Sequence, residues 1–134
     1  CDMMKGGYIS RRYLPENQTD GMPIAFFPSD FRLFDPHFPR PEYDPKLFVW
    51  EEETYYLPFE ATICIRDMKN WFWDPNYTEG KLVEADFIVE KYNQMKAQSN
   101  NLVINVAPNT DGIQEPEDVA HLLKVADILG IRRK

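Results

Sequence analysis

"NNLVINVAPNTDG", residues 100–112, carries no charge before Asp111. From Leu102 to Ala107 it is apolar and β-branched except at Asn105, too short for a helix and bounded by turn residues, so it reads as a strand. The continuous apolar run suits a strand covered on both faces, as strands in parallel sheets are. Pro108, Asn109, Thr110, Asp111 and Gly112 then supply residues from which tight turns are made. In parallel α/β sheets, ligand sites gather where loops leave the carboxyl ends of strands, and this turn is such an exit. Asp111 and Gly112 are expected to form the turn itself, and Asn105 to find hydrogen-bond partners that brace the loop.

On the N-terminal side, Leu82, Ala85, Ile88, Val89, Tyr92 and Met95 recur at steps of three and one, which predicts an amphipathic helix over 81–98. Before it, "PFEATICI" (58–65) reads as another strand. The intervening "NWFWDPNYTEG" (70–80) crowds Trp71, Phe72, Trp73 and Tyr77 into a turn. On the C-terminal side Pro116 opens a second helix, with Glu115, Glu117 and Asp118 near its positive end and Gly130 placed to stop it. Its predicted buried stripe is Val119, Leu122, Leu123, Ala126 and Leu129. Strand, helix, strand and helix in this order imply an α/β fold with parallel strands and crossover helices.

The first part of the chain differs. Nine of the 11 prolines precede residue 81. "GYISRRYL" (7–14) reads as a short strand and "PENQTDGMP" (15–23) as turns. "DFRLFDPHFPRPEYDPKLF" (30–48) holds four prolines and five aromatics, too many prolines for a helix or a central strand. A long loop packed by its own side chains is predicted over 26–58.

With 134 residues, 43% of them hydrophobic and 28% charged, the chain has material for one packed domain. A net charge of −7 argues against nucleic acid, whose binding needs clustered cations. No window reaches the roughly 18 apolar residues of a membrane helix. Cys1 and Cys64 are too few for a disulfide framework or a zinc cluster, and His37 and His121 have no partner at metal-ligand spacing. No metal site and no cofactor is predicted. Asn17 and Asn76 lie in sequences that fit the glycosylation pattern. A first residue that is Cys and not Met suggests a chain that starts after processing, inside a longer gene product or at a truncation, with truncation preferred.

"NWFWDP" (70–75), a helix, and then "NLVINVAPNTDGIQEPEDVAHLLKVADILG" (101–130) together resemble the end of the catalytic barrel of glycoside hydrolase family 29, the α-L-fucosidases. The match runs over about 58–130, and a weaker one reaches back through "ISRRY" (9–13) and "SDFRLFD" (29–35). The resemblance implies a partial (β/α)8 TIM-like barrel, residues 1–134 being its C-terminal portion with the long loop at 26–58 and βα units over 58–130. It implies a retaining glycosidase acting on fucosylated glycans. One Asp attacks the anomeric carbon, and a second carboxyl group, about 5 to 5.5 Å away, protonates the leaving oxygen and then activates water. It also implies a secreted or periplasmic setting and an upstream remainder of the catalytic domain that carries the nucleophile.

Residue by residue, Arg12 falls where the family places an arginine that touches the sugar, and Asp35 near its acid/base position, where Glu is usual. Glu60 matches a "W-E" pair, and Trp71 an aromatic that packs on the fucose methyl group and ring. Trp73 joins the substrate-binding set beside it. Each has a plainer reading. Asp35 suits a turn before Pro36, Arg12 an ion pair, Glu60 either an outward strand position or a partner that orients Arg12, and Trp73 with Phe72 a seal at the barrel rim. A non-catalytic carbohydrate-binding or structural remnant of the same fold is the alternative to an enzyme.

Overall fold

The computed structural model describes residues 31–33, 38–42, 44, 46–50, 52–67 and 70–131. Among these described residues, five strands and two helices follow in order: β1 Arg32–Leu33, β2 Leu47–Trp50, β3 Glu53–Tyr56, β4 Phe59–Cys64, α1 Ala85–Ala97, β5 Asn101–Asn105 and α2 Pro116–Ile128. A 3₁₀ turn, Tyr77–Glu79, precedes α1. The architecture is mixed α/β, with a small parallel sheet ordered β1-β4-β5 and a separate antiparallel hairpin of β2 and β3. The expected strand at 7–14 lies outside the described residues.

The described residues belong to two compact units, one reaching to Thr62 and taking in Met95–Leu102, the other formed by Ile63–Gln94 and the chain from Val103 onward. In the first, β1 pairs with β4 in the register Arg32↔Phe59 and Leu33↔Glu60. Phe59, Ala61 and Met95 form its core, with Phe38 and Leu102 against them. Asp44 is its polar hub. Its carboxylate accepts from Arg32 Nη2 at 2.6 Å, Asn100 Nδ2 at 2.6 Å, Gln98 Nε2 at 3.2 Å and from Lys46 Nζ. Burial pushes the Asp44 carboxyl up, but the hydrogen bonds from Lys46, Arg32 and Asn100 outweigh it and hold the pKa below the usual carboxylate range. Asn100 spends its amide oxygen on Phe59 N at 2.8 Å and so ties the entry of β5 to the entry of β4.

In the second unit Ala85, Ile88 and Val125 form the core, with Val83, Val89, Ile104 and Leu129 packed on it. All the apolar positions expected on the first helix are buried or half-buried. That helix starts four residues later than predicted because Leu82 bridges to Arg66 and Val83 N donates to Ile65 O at 2.9 Å, which holds this stretch extended.

Three other expectations are corrected. Both faces of a strand are covered at β4, whose residues are buried except for a half-buried Glu60, whereas in β5 Val103 is 40% exposed. On α2 the inward face runs through Asp118, Leu122, Val125, Ala126 and Leu129, of which Asp118 and Val125 are buried and the others half-buried, while Val119 and Leu123 of the expected stripe are exposed. The stretch expected as loop over 26–58 includes β1 and the β2–β3 hairpin. Proline density ends at Pro45, and beyond it the β-formers of 47–50 and 53–56 flank a two-residue connection. Glu52, at φ 71°, takes the left-handed conformation that such a connection demands.

Candidate functional site

Between β4 and α1 the second unit sends out an excursion that carries the aromatic turn. Its base is closed by Asp67 N donating to Lys81 O and Val83 N to Ile65 O, each at 2.9 Å. Asp74 Oδ1 accepts from Asn76 N at 2.7 Å, an Asx turn that starts the 3₁₀ turn. At Gly80 an added Cβ would stand 2.7 Å from Asn70 Nδ2 and 3.3 Å from Tyr77 O, so a side chain there would push the Asn70 amide aside.

The opposing wall is the exit of β5. Asn109 Oδ1 accepts from Asp111 N at 3.0 Å and Ile113 N at 2.9 Å, and Gly112 N donates to Asn109 O at 2.9 Å. Gly112 sits at φ 76°, the conformation glycine adopts without strain. The expected turn at Asp111 and Gly112 is present, and Asn109 organises it.

The two walls enclose a cleft of about 420 Å³ lined by Trp71, Phe72 and Trp73 on one side and by Asn105, Ala107, Pro108, Asn109 and Thr110 on the other. Side-chain hydrogen bonds fix the walls to one another. Asn105 Nδ2 donates to Trp71 O at 3.0 Å, with Cys64 Sγ 3.8 Å from the same nitrogen. Trp73 Nε1 donates to Glu115 Oε1 at 2.9 Å, and Ala107 N to the Tyr77 hydroxyl at 3.3 Å. Asn105 thus has the bracing role expected of it.

Beneath these braces lies Arg66, 2% exposed. Its Nη1 donates to Gly80 O at 2.7 Å and Thr78 O at 3.2 Å, its Nη2 to Glu117 at 2.7 Å, and its Nε to the fully buried Asp118 at 2.8 Å. The guanidinium also stands 5.4 Å from the centre of the Tyr77 ring. Burial opposes the charge of Arg66, but Glu117 and Asp118 outweigh it and push its pKa further above the usual value. Burial also pushes the Tyr77 phenol up, against the backbone donor of Ala107, and the Asp118 carboxylate adds to the rise. One planar fork therefore ties the aromatic excursion to the first turn of α2.

Trp71 and Trp73 both line the cleft. Glu60 lies on β4 in the other unit and does not line the cleft. Arg12 and Asp35 lie outside the described residues. Arg66, Asn109 and Glu115 carry the site's architecture without having been singled out for it. The available signal was a lone cation closing an apolar strand, "ICIR", with an acidic pair opening a later helix.

No family model matches this chain, and no curated protein matches it. A solved structure does: a protein described as a "putative alpha-L-fucosidase" from Bacteroides thetaiotaomicron aligns with 57% of this chain at 20% identity and a TM-score of 0.50. The two share a fold. The aligned part amounts to 18% of that protein's length, so this chain spans under a fifth of it.

Proposed function

We propose that this chain is the C-terminal part of a family 29 α-L-fucosidase-like catalytic barrel, and that its cleft holds the fucose of a fucosylated glycan. The observation that carries this reading is the cleft itself, in which an aromatic turn faces the loop at the carboxyl end of β5. Parallel α/β folds keep their chemistry at such an exit, and aromatic faces are what the C–H side of a sugar needs. The small parallel sheet and the shared fold support a partial (β/α)8 barrel.

In this reading Trp71 and Trp73 line the sugar position, Arg12 touches the sugar and Glu60 orients Arg12. Asp35 protonates the leaving oxygen, while the nucleophilic Asp comes from the upstream remainder. The enzyme is a retaining glycosidase of a secreted or periplasmic setting. A second reading, a carbohydrate-binding remnant, draws on the cleft's lining of rings, amides and a hydroxyl with no carboxylate among the described lining residues.

Tryptophan fluorescence titrated with methyl α-L-fucoside tests the sugar site. Trp71→Ala is expected to weaken binding about tenfold or more, the worth of one stacked aromatic face. Release of 4-nitrophenol from its α-L-fucoside separates the two readings, assayed on this chain joined to its upstream region. Asp35→Asn is expected to slow turnover about 10² to 10⁴-fold as loss of a general acid does. Binding of the fucoside without turnover selects the remnant.

A further inference from the structure

Beyond β5 the chain leaves the sheet at Asn105, whose carbonyl accepts from Ile65 N at 3.0 Å. Its next backbone tie is at Asn109, whose N donates to Ile113 O at 2.8 Å. Between the two, Pro108 has no N–H to give. Among the described residues the backbone of Val106, Ala107 and Pro108 makes one hydrogen bond, from Ala107 N to the Tyr77 hydroxyl at 3.3 Å. Ala107 and Pro108 line the cleft, so this part of its wall is held by one phenol.

Tyr77 is 1% exposed, and its oxygen is engaged as an acceptor, so its own proton must be given to a second buried group. Asp118 has the matching need. One oxygen of its fully buried carboxylate accepts from Arg66 Nε at 2.8 Å, while Oδ2 is the single buried side-chain oxygen or nitrogen among the described residues that meets no donor. A buried acceptor left in that state costs free energy, as does a buried O–H with nowhere to point. The two groups are neighbours, since the Asp118 carboxylate helps to push the Tyr77 phenol pKa up.

We infer that Tyr77 is the positioning residue of this cleft: its proton goes to Asp118 Oδ2 while its oxygen holds Ala107 N, so the first turn of α2 sets where the β5 wall stands. Arg66 fixes the other oxygen of Asp118 and so anchors the far end of the chain of bonds. A wall placed before any ligand arrives needs no ordering on binding. The consequence for a bound sugar rests on the fucoside reading above, and the chain of bonds does not.

Amide hydrogen exchange of the full chain, read by NMR, tests the bonds, with the Ile65 amide that Asn105 holds as internal control. Tyr77→Phe keeps the ring and removes the hydroxyl, and Asp118→Asn keeps an oxygen for Arg66 and puts a donor in place of Oδ2. Each is expected to speed exchange at Ala107 about fivefold or more relative to Ile65, the worth of one hydrogen bond. No such change in Asp118→Asn overturns the bond to Asp118. Should that variant fail to fold, the parent chain carries the test: the Tyr77 hydroxyl proton is expected as a slowly exchanging resonance, and its absence overturns the bond. Tryptophan fluorescence titrated with methyl α-L-fucoside then reads the positioning, and Tyr77→Phe is expected to weaken binding about fivefold. Unchanged affinity in a Tyr77→Phe chain whose Ala107 amide has been released overturns the positioning role and leaves the fucoside reading intact. A parent chain that binds no fucoside overturns that reading and the consequence for a sugar, while the exchange rates decide the bonds by themselves.

Discussion

At Arg66 a cation at the end of an apolar strand meets two carboxylates from a helix some fifty residues later, and the two contacts differ in worth. Asp118 is wholly buried, so removing it leaves a guanidinium desolvated and unpaired on that side; Asp118→Ala is expected to cost about 3–5 kcal/mol. Glu117 is 67% exposed, and Glu117→Ala is expected to cost under about 1 kcal/mol. Urea denaturation of the two variants measures the contrast. Asp44 carries a pH dependence of definite sign. Its folded pKa lies below the unfolded one, so its contribution is complete above about pH 4 and is lost as pH falls through the lower folded value. Asp44→Asn is expected to flatten the acid limb of stability measured by denaturant midpoint against pH. Neither hub was legible in the sequence. "RDMKN" after a strand looks like a polar loop, and Glu117 with Asp118 looks like compensation of a helix dipole, because long-range pairing leaves no periodic trace. Trp71 was legible, since a cluster of large aromatics in a turn has few reasons to exist away from a ligand or a core.

Both helices end in the same six-residue motif, written in different residues. At α2 Gly130 N donates to Asp127 O and Ile131 N to Ala126 O; at α1 Ser99 N donates to Lys96 O and Asn100 N to Met95 O. Gly130 takes φ 68° and Ser99 φ 54°. Glycine announces such an end in the sequence, and serine does not, which is why the α2 terminus was foreseen by residue type. Ser99 carries the steric cost of a left-handed backbone, so Ser99→Gly is expected to stabilise by about 0.5–1 kcal/mol, read as a rise in the urea midpoint. The β2–β3 hairpin escaped notice for a similar reason. Its connection contains Glu52 at φ 71° in place of the Asn-Gly or Asp-Gly pair that marks two-residue turns. Periodicity located α1 and α2, yet on α2 it included the exposed Val119 and Leu123 and missed the buried Asp118, because it weighs hydrophobicity and is blind to an ionic partner such as Arg66.

For the molecule as a whole, the two cores are threaded by common elements. The boundary between the units passes within β4, α1 and β5, so that Ile88 serves one core and Met95, seven positions along α1, serves the other. Truncation in either core should therefore be felt by both. Phe59→Ala and Ile88→Ala are each expected to cost about 2–5 kcal/mol and to shift one common thermal transition, followed by circular dichroism. Two separated transitions would show that the units melt independently. The alternation of strands and helices over 58–130 was open to sequence reading because each element has its own periodicity. Their sheet neighbours were not, since pairing partners are set by packing. Cys64 adds a last property. Its thiol is wholly buried, and the amide nitrogen beside it also holds the aromatic turn. A thiol reagent can reach it only when β4 opens, so in a Cys1→Ser chain the labelling rate becomes a stopwatch for breathing of the sheet beneath the cleft, running with no substrate present.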